Sequence, residues 1–220
     1  TARSGDPSPV TARGVFRAIQ ASAKWRWGSD DLAGRTISIQ GCGHVGYYLA
    51  KELSPVGANM IVSDIDPERV KRVVDDFGVK AVKPDEIVGQ QANIFAPCAL
   101  GGIINDETIP QLKVEIVAGA ANNQLLEERH GDELEKRGIL YAPDYVANAG
   151  GVINVYSELA NWDAQQSLRK ADEIYDSVLR IFEIAKLDKV PTYVAADRLA
   201  ERRLKAVGSL VRTWPQWPNK

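Results

Sequence analysis

Hydrophobic positions along the chain switch between two spacings, the short dense runs of buried strands and the repeat of helices. A short β-branched run stands at residues 35–39, and short apolar runs stand at residues 59–63, 79–82, 92–95, 115–118 and 139–141. Helical spacing lies between them at residues 45–53, 70–77, 85–89, 108–112 and 125–137. Because parallel strands need crossover connections and helices cover both faces of such a sheet, this alternation predicts an α/β fold with a doubly wound, mostly parallel sheet of six strands.

Helical spacing also flanks this core on both sides. Apolar residues between positions 12 and 23 indicate a helix that begins at Thr11, which would cap it, because Pro7 and Pro9 should prevent an earlier start. After residue 150 helical patterns cover residues 152–161, 168–185 and 195–211. The chain is therefore predicted to comprise three parts. These are a helical entry segment (1–28), a central α/β domain (29–150) and C-terminal helices that pack on it (151–220).

A glycine-rich turn follows the first predicted strand and leads into a helical pattern. Its sequence is Gln40-Gly41-Cys42-Gly43-His44-Val45-Gly46, with the spacing Gly-x-Gly-x-x-Gly. Gly41 allows a tight turn, Gly43 lets a pyrophosphate approach the backbone, and Gly46 lets helix and strand pack closely. The free N–H groups and partial positive charge of the helix start hold an anion without a basic side chain. This context indicates a dinucleotide site of Rossmann type.

The second predicted strand ends in an acid, Asp64, which is followed by Ile65. A carboxylate at that strand end can accept hydrogen bonds from both ribose hydroxyls of adenosine, and its charge repels a 2′-phosphate. Ile65 offers no cation for such a phosphate. The pair therefore favours NAD over NADP as the cofactor.

Two loops of small residues should lie at the carboxyl edge of the sheet, where ligands bind in such folds. One loop contains Cys98 and Ala99, and the other contains Asn122 and Asn123. They either receive a nicotinamide ribose, with an Asn side chain on its hydroxyls, or are tight loops with helix caps. Asn148 either satisfies a turn or donates to a ligand. Cys98 is a poor candidate nucleophile, because the sequence shows no base beside it.

Bulk composition excludes several classes of protein. Over 220 residues the net charge is −2, and 45% of the residues are hydrophobic against 25% charged. These values give no reason to expect nucleic acid or a membrane as a partner, and no signal peptide or membrane span is evident. The two cysteines suit a reducing cytoplasm, and their spacing does not indicate a metal site. With only two histidines, a zinc site built from histidines is not expected. A cytoplasmic globular protein is expected.

Several longer stretches are more specific than the glycines. They are Gly5-Asp6-Pro7-Ser8-Pro9-Val10-Thr11-Ala12, residues 94–102, Tyr141-Ala142-Pro143-Asp144-Tyr145, Asn148-Ala149-Gly150-Gly151 and Pro191-Thr192-Tyr193-Val194-Ala195-Ala196-Asp197-Arg198. With the glycine turn, they make nearly the whole chain resemble the NAD-binding half of the Glu/Leu/Phe/Val dehydrogenases. Within that family the chain looks closest to the leucine dehydrogenase members.

The resemblance implies a reaction and roles for individual residues. The reaction is reversible oxidative deamination of an apolar L-amino acid to its 2-oxo acid and ammonia, with hydride passing to NAD. The implied cofactor residues are Gly41, Cys42, Gly43, His44, Val45 and Gly46 at the pyrophosphate, Asp64 and Ile65 at the adenosine ribose, and Cys98, Ala99, Asn122 and Asn123 along the nicotinamide side. Thr11 and Asn148 would engage the nicotinamide carboxamide. A homo-oligomer is also implied for the complete protein.

The resemblance also implies that catalytic groups lie elsewhere. In this family the general base is a lysine on a preceding domain, one that would lie upstream of Thr1, and no lysine of this chain follows a run of glycines. The chain alone is therefore expected to be inactive. Two other classes stay open: a stand-alone NAD-binding regulatory protein, and a different Rossmann enzyme that uses Tyr47 and Lys51 as a proton donor pair.

The side chain of the substrate is the least determined feature. Val152, Val155, Val178 and Ile181 are candidate wall residues beside the Asn148 loop. Branched walls suit leucine, isoleucine or valine, and one misfitting methylene costs only about 1–3 kcal/mol. Tyr156 and Trp162 could instead border a pocket for phenylalanine or tryptophan.

Overall fold

The structure, a computed structural model, describes residues 5–211 and is built around one parallel sheet. Within those residues the sheet has six strands, β1 (Thr36–Gln40), β2 (Asn59–Ser63), β3 (Lys80–Ala81), β4 (Ile94–Pro97), β5 (Ile116–Val117) and β6 (Leu140–Tyr141). Every neighbouring pair is parallel, and the order is β3-β2-β1-β4-β5-β6. The order reverses between β1 and β4, which opens a crevice at their carboxyl ends. The prediction of a doubly wound parallel sheet is confirmed.

Helices cover both faces of the sheet. Among the described residues they are α1 (Ser8–Trp27), α2 (His44–Leu53), α3 (Pro67–Phe77), α4 (Arg129–Lys136), α5 (Asp144–Ala147), α6 (Gly150–Ala160), α7 (Ala164–Asp172), α8 (Ile174–Asp188) and α9 (Thr192–Val211). Short 3₁₀ turns occur at Ser54–Val56 and Ile109–Gln111. None of these helices is long and apolar enough to cross a bilayer.

The sheet separates two apolar layers. Ile94 belongs to the layer beneath α1, α2 and α8, whereas its neighbour Phe95 belongs to the layer beneath α4. Both side chains are fully buried. Because successive strand residues point to opposite faces, a strand buried on both sides needs apolar residues in an unbroken run. That requirement explains why β2 and β4 are recognisable in the sequence as short continuous apolar segments, whereas β1 alternates isoleucine with threonine and serine.

Helix α3 shows how local sequence sets the ends of an element. Asp66 caps it by accepting the Glu68 N–H at 3.0 Å, and Pro67 occupies the first helical position. Gly78 ends it in a left-handed conformation with φ of 66°. The cap, the proline and the terminal glycine act at these positions as predicted.

Three predictions about helix bounds are wrong. Helix α1 begins at Ser8, because a proline in the first turn removes only an N–H that has no partner there, and Thr11 lies inside the helix, donating its hydroxyl to the Pro7 carbonyl. Residues 85–89 form turns. The residues 168–185 form parts of two helices, not one. The helix is interrupted at Glu173, whose N–H bonds the Lys170 carbonyl three residues earlier instead of the carbonyl four residues earlier.

Helix α1 packs against the end of α5 and the start of α6 at a very short distance. A Cβ atom on Gly150 would lie 2.2 Å from the Val10 carbonyl oxygen, and one on Gly14 would lie 2.9 Å from the Ala147 carbonyl oxygen. Only glycine lets two backbones approach this closely. This packing brings the start of α1 against the loop that holds Asn148, at the open edge of the sheet. The proposed three-part division of the chain stays a prediction.

Candidate cofactor site

The glycine turn is built by backbone contacts that exclude larger residues. Gly41 follows β1 with φ of 101°, and its N–H donates to the Ser63 carbonyl at 2.7 Å. A Cβ on Gly41 would lie 2.8 Å from the Cys98 carbonyl oxygen, and one on Gly46 would lie 1.9 Å from the Gly41 carbonyl oxygen. The turn therefore packs directly against the end of β4 and the first turn of α2, at the centre of the sheet.

Gly43 is the one of the three turn glycines that faces open space. It precedes the first residue of α2, and the only atom within 4 Å of a Cβ built on it is Arg69 Nη1, at 3.9 Å, among the described residues. The first turn of a helix leaves N–H groups without an intrahelical partner, and these carry the positive end of the helix dipole. The space above Gly43 can therefore take an anionic group such as a pyrophosphate.

Asp64 stands at the end of β2 beside the glycine turn. One carboxylate oxygen accepts the Cys42 N–H at 2.7 Å, and the other accepts the Asp66 N–H at 2.9 Å. These bonds orient the carboxylate, and each oxygen keeps a lone pair for a further donor. Ile65 beside it is 88% exposed and presents an apolar surface. The arrangement can accept two hydroxyl groups of a ribose.

The second half of the crevice lies between the ends of β4 and β5. The Cys98 N–H donates to the Gln40 carbonyl at 2.7 Å, and Ala99 follows it with an exposed side chain. The Asn148 side-chain amide donates to the Asn122 side-chain oxygen at 2.7 Å and to the Ala120 carbonyl at 3.2 Å. The structure thus brings together loops that are far apart in the sequence.

The other predicted residues lie at different depths. Thr11 Oγ1 is 3.4 Å from where a Cβ of Gly151 would stand, so α1 borders the Asn148 loop. Asn123 is exposed with φ of 51°, and His44 is exposed near Asp6. Val178 and Ile181 are fully buried on α8, although Ile181 lines a cavity of ≈ 330 Å³ with Val146 and Ile153. Their role as substrate walls stays a prediction.

Asp144 is a structural member of the site that sequence reasoning did not single out. Its carboxylate accepts the Gln124 N–H at 2.8 Å and the Tyr145 N–H at 2.7 Å. Tyr145 in turn donates its hydroxyl to Asp197 at 2.7 Å. Burial and the Asp197 carboxylate raise the pKa of the Tyr145 phenol. Asp144 therefore fixes the 119–124 loop against α5. Its position directly after Pro143, where the last strand ends, is the feature of the sequence that could have indicated this role.

Arg69 and Arg72 were also missed. They line a cavity of ≈ 210 Å³ at the start of α2, together with Gly43 and His44. Their spacing of three residues on α3, immediately after the Asp64 strand, places both on one face of that helix. The cavity at the start of α2 therefore carries cations that the glycine turn itself lacks.

Both thiols at the crevice are poor nucleophiles. Burial, with a smaller contribution from the Asp64 carboxylate, raises the pKa of Cys42 to about 12. Burial likewise raises the pKa of Cys98 to about 12. Near neutral pH almost no thiolate is present, and thiolate is the reactive form.

Slow thiol labelling is the expected consequence. Near neutral pH dithionitrobenzoate should modify the folded protein far more slowly than it modifies free cysteine, and the rate should rise toward pH 12 because only the thiolate reacts. Cys42→Ser and Cys98→Ser single variants assign the rates to each thiol. Labelling as fast as that of free cysteine would contradict the raised pKa values.

The fold and the crevice define the class of protein. Strand order β3-β2-β1-β4-β5-β6, a glycine turn after β1 and an acid at the end of β2 make this a nucleotide-binding domain of Rossmann type. The chain belongs to the Glutamate/Leucine/Phenylalanine/Valine dehydrogenase family, whose model matches residues 64–206.

Relatives in that family differ in the amino acid they are named for. The chain is 54% identical over 204 residues to a leucine dehydrogenase of Geobacillus stearothermophilus, covering 93% of this chain and 56% of the relative. It is 46% identical over 206 residues to a phenylalanine dehydrogenase of Caldalkalibacillus thermarum, covering 91% and 56%. The crystal structure of L-tryptophan dehydrogenase from Nostoc punctiforme superimposes with a TM-score of 0.89 at 48% identity, covering 92% of this chain and 62% of that one. The chain thus spans little more than half of each relative.

Proposed function

We propose that this chain is the NAD-binding part of an L-amino-acid dehydrogenase that deaminates a branched apolar amino acid such as leucine to its 2-oxo acid and ammonia. The observation that carries the proposal is the oriented Asp64 carboxylate beside an open Gly43, next to the start of α2. A dinucleotide needs this combination, because its pyrophosphate requires N–H donors and its ribose requires acceptors. Family membership supports the reaction class.

Each end of the crevice would hold one half of the cofactor. The N–H groups of His44, Val45 and Gly46 would face the pyrophosphate, and Asp64 would accept the adenosine ribose hydroxyls. Asn122 and Asn148, already paired with each other, would orient the nicotinamide ribose and carboxamide, with Thr11 from α1 closing the same edge. Bound NAD accepts the hydride. The chain's own residues bind and orient it.

The proposed division of labour leaves proton transfer to a group outside the described crevice. The Tyr47 hydroxyl donates to Asp76 at 2.8 Å, and its ring packs against Phe77 on α3. It is therefore engaged on the side of α2 that faces α3, which counts against a Tyr47–Lys51 proton donor pair. A lysine base on a preceding domain, a homo-oligomeric assembly and a cytoplasmic location stay predictions.

An aromatic substrate is the second candidate. The rings of Tyr156 and Trp162 meet edge to face at 5.4 Å, beyond the Asn148 loop. Relatives named for tryptophan and phenylalanine are 46–49% identical, against 54% for the leucine relative. The higher identity to the leucine relative supports the branched substrate, and Ile181 lines an aliphatic cavity with Val146 and Ile153.

Cofactor preference provides the direct test. We expect NADH to bind at least about tenfold more tightly than NADPH, since the Asp64 charge opposes a 2′-phosphate. Asp64→Ala should reduce this preference while the variant still unfolds cooperatively. Titration by nicotinamide fluorescence gives both dissociation constants, and thermal unfolding controls for folding. Failure of the intact chain to bind either dinucleotide would overturn the proposed function.

A further inference from the structure

A cavity lies along the free edge of the sheet, on the side of β6 away from β5. Helix α8 borders it from one face of the sheet and α4 from the other, and the end of α1 closes it. Its volume is ≈ 250 Å³, just below the range of about 300–1,000 Å³ for drug-sized ligands, so it suits a smaller metabolite. None of the described residues that line it belongs to the candidate cofactor site.

The floor of this edge cavity is apolar and aromatic. Trp25 on α1 is half-buried, and Phe182 on α8 is 1% exposed. Their ring centres are 5.7 Å apart, with the planes tilted by 42°. Ile139 and Val190 add aliphatic surface to the wall. Because a ligand that covers concave apolar surface gains hydrophobic free energy, the floor suits an apolar side chain.

Strand β6 contributes a backbone donor to the cavity. The residues on either side of Tyr141 are Leu140 and Ala142, and both donate their N–H groups toward β5, each at 2.9 Å. Alternate residues of a strand bond opposite neighbours, so the Tyr141 N–H points to the free edge. The Tyr141 carbonyl accepts the Thr192 hydroxyl at 2.7 Å. Tyr141 is 4% exposed, and a backbone donor buried to this degree needs an acceptor.

Charged side chains of both signs stand at the rim. Lys186 on α8 holds its ammonium 5.8 Å from the centre of the Trp25 ring. Arg26 on α1 pairs with Glu115 only through Nε, at 3.4 Å, so its terminal nitrogens keep their donors. Glu135 on α4 and Lys186 form no ion pair within the part of the chain that the structure describes. Two cations thus border the α1 and α8 side, and a carboxylate borders the α4 side.

We propose that this cavity is a binding site for an apolar α-amino acid, separate from the cofactor crevice. Lys186, Arg26 and the Tyr141 N–H bind the carboxylate, Glu135 binds the ammonium, and the side chain covers the two aromatic rings. An amino acid fits because it carries both charges beside one apolar group. The proposal goes beyond the proposed function, since binding here needs neither a dinucleotide nor a catalytic base.

Calorimetric titration of this chain with leucine is the test. We expect a dissociation constant of about 1 mM. Glycine lacks the apolar group and 3-methylbutylamine lacks the carboxylate, so each should bind about tenfold more weakly or worse. The 2-oxo acid 4-methyl-2-oxopentanoate lacks the ammonium and should bind about threefold more weakly or worse. Glu135→Gln should weaken leucine binding by a similar factor and should not weaken binding of the 2-oxo acid.

Two variants and a matched control locate the ligand. Lys186→Gln should weaken leucine binding about fivefold or more, because it removes a charged donor. Lys136→Gln removes the same charge from α4, where the Lys136 ammonium bonds Glu133 at 2.6 Å, and should change the affinity by less than about twofold. Ala185→Phe fills the cavity and should abolish leucine binding. Thermal unfolding of every variant checks that the fold is retained.

Tryptophan fluorescence gives an independent readout of position. Leucine should change the emission of the chain, because its side chain would lie on the Trp25 ring. Trp25→Phe should lose this change while the calorimetric affinity stays within about threefold, since phenylalanine keeps an apolar floor. A structural role of Trp25 alone would not separate the two readouts.

Four outcomes would overturn the site. The first is no heat of binding from the unaltered chain at about 50 mM leucine. The second is full binding by Ala185→Phe, which would assign leucine to another cavity. The third is an equal effect of Lys136→Gln and Lys186→Gln, which would reduce the contact to overall charge. The fourth is equal affinity for leucine and the 2-oxo acid, which would refute the choice of an amino acid. The NADH titration decides the proposed function separately, because these variants lie outside the cofactor crevice.

Discussion

Gly46→Val is expected to destabilise the fold by about 3 kcal/mol and to remove NADH binding, because even the first carbon of the new side chain has no space. A Cβ at this position would stand 1.9 Å from the Gly41 carbonyl oxygen and 3.0 Å from its carbonyl carbon. Both are backbone atoms of the turn, so α2 would have to move away from β1. Its N–H groups would then no longer face the crevice.

Gly43→Ala is the matched control for this expectation. Its φ of −64° suits any residue, and its new methyl group would meet only the end of the Arg69 side chain. The free energy of unfolding should therefore fall by no more than about 1 kcal/mol, the typical cost of alanine at a helix N-cap. NADH affinity should still fall about tenfold or more, since the methyl group occupies the proposed pyrophosphate position. Chemical denaturation and fluorescence titration separate the two effects, and normal NADH binding by Gly43→Ala would refute its proximity to the cofactor.

The second large effect concerns catalysis. This chain alone is expected to produce no NADH from an amino acid, because the lysine base is proposed to lie on a preceding domain and both oxygens of the Asp144 carboxylate already accept backbone N–H groups. His44 lies at the start of α2, and His130 is buried on α4, where its ring accepts the Glu127 N–H. A missing base alone costs about two to four orders of magnitude, and loss of substrate positioning costs more.

A chimera tests this division of labour. Joining this chain to the part of the Geobacillus leucine dehydrogenase that it does not span should restore turnover. We expect kcat/KM to favour leucine over phenylalanine by about tenfold or more, or about 1.4 kcal/mol of transition-state discrimination. The NADH titration of the isolated chain shows that a negative result is not caused by misfolding. Turnover by the isolated chain would contradict the proposal that the general base lies on another domain. A tenfold higher kcat/KM for an aromatic amino acid would overturn the proposal of a branched aliphatic substrate.

Elements with purely local causes were predictable from the sequence. Strands β2 and β4 are buried on both faces, so their apolar runs were unambiguous. The ends of α3 follow from a cap, a proline and a glycine. The split at Glu173 had no such signal, since it depends on one carbonyl–amide bond that any residue can make. The predicted start of α1 was wrong because proline is tolerated in the first turn of a helix.

The candidate site was predictable in its parts but not in its assembly. Because the carboxyl ends of parallel strands meet at one edge of a sheet, the order of the strands alone places Asp64 beside the glycine turn. Contact between Asn122 and Asn148 depends on how α5 and α6 dock against α1. The approach of Arg69 to Gly43 depends on the packing of α3 beside α2. Tertiary packing of this kind leaves no pattern in a single sequence.

The position of α1 has a consequence for the order in which the molecule can form. Arg13 on α1 bonds Asp172 on α7 at 2.7 Å, across 159 residues of chain. Contacts of such long range make folding slow, because loop closure must precede any stabilising gain. A ribosome adds about 5–20 residues each second, so the apolar side of α1 stays uncovered for on the order of ten seconds or more. Helix α1 is therefore synthesised well before α6, α7 and α8, which bury it, and until they emerge α2 is the neighbour in sequence that can cover part of its apolar side.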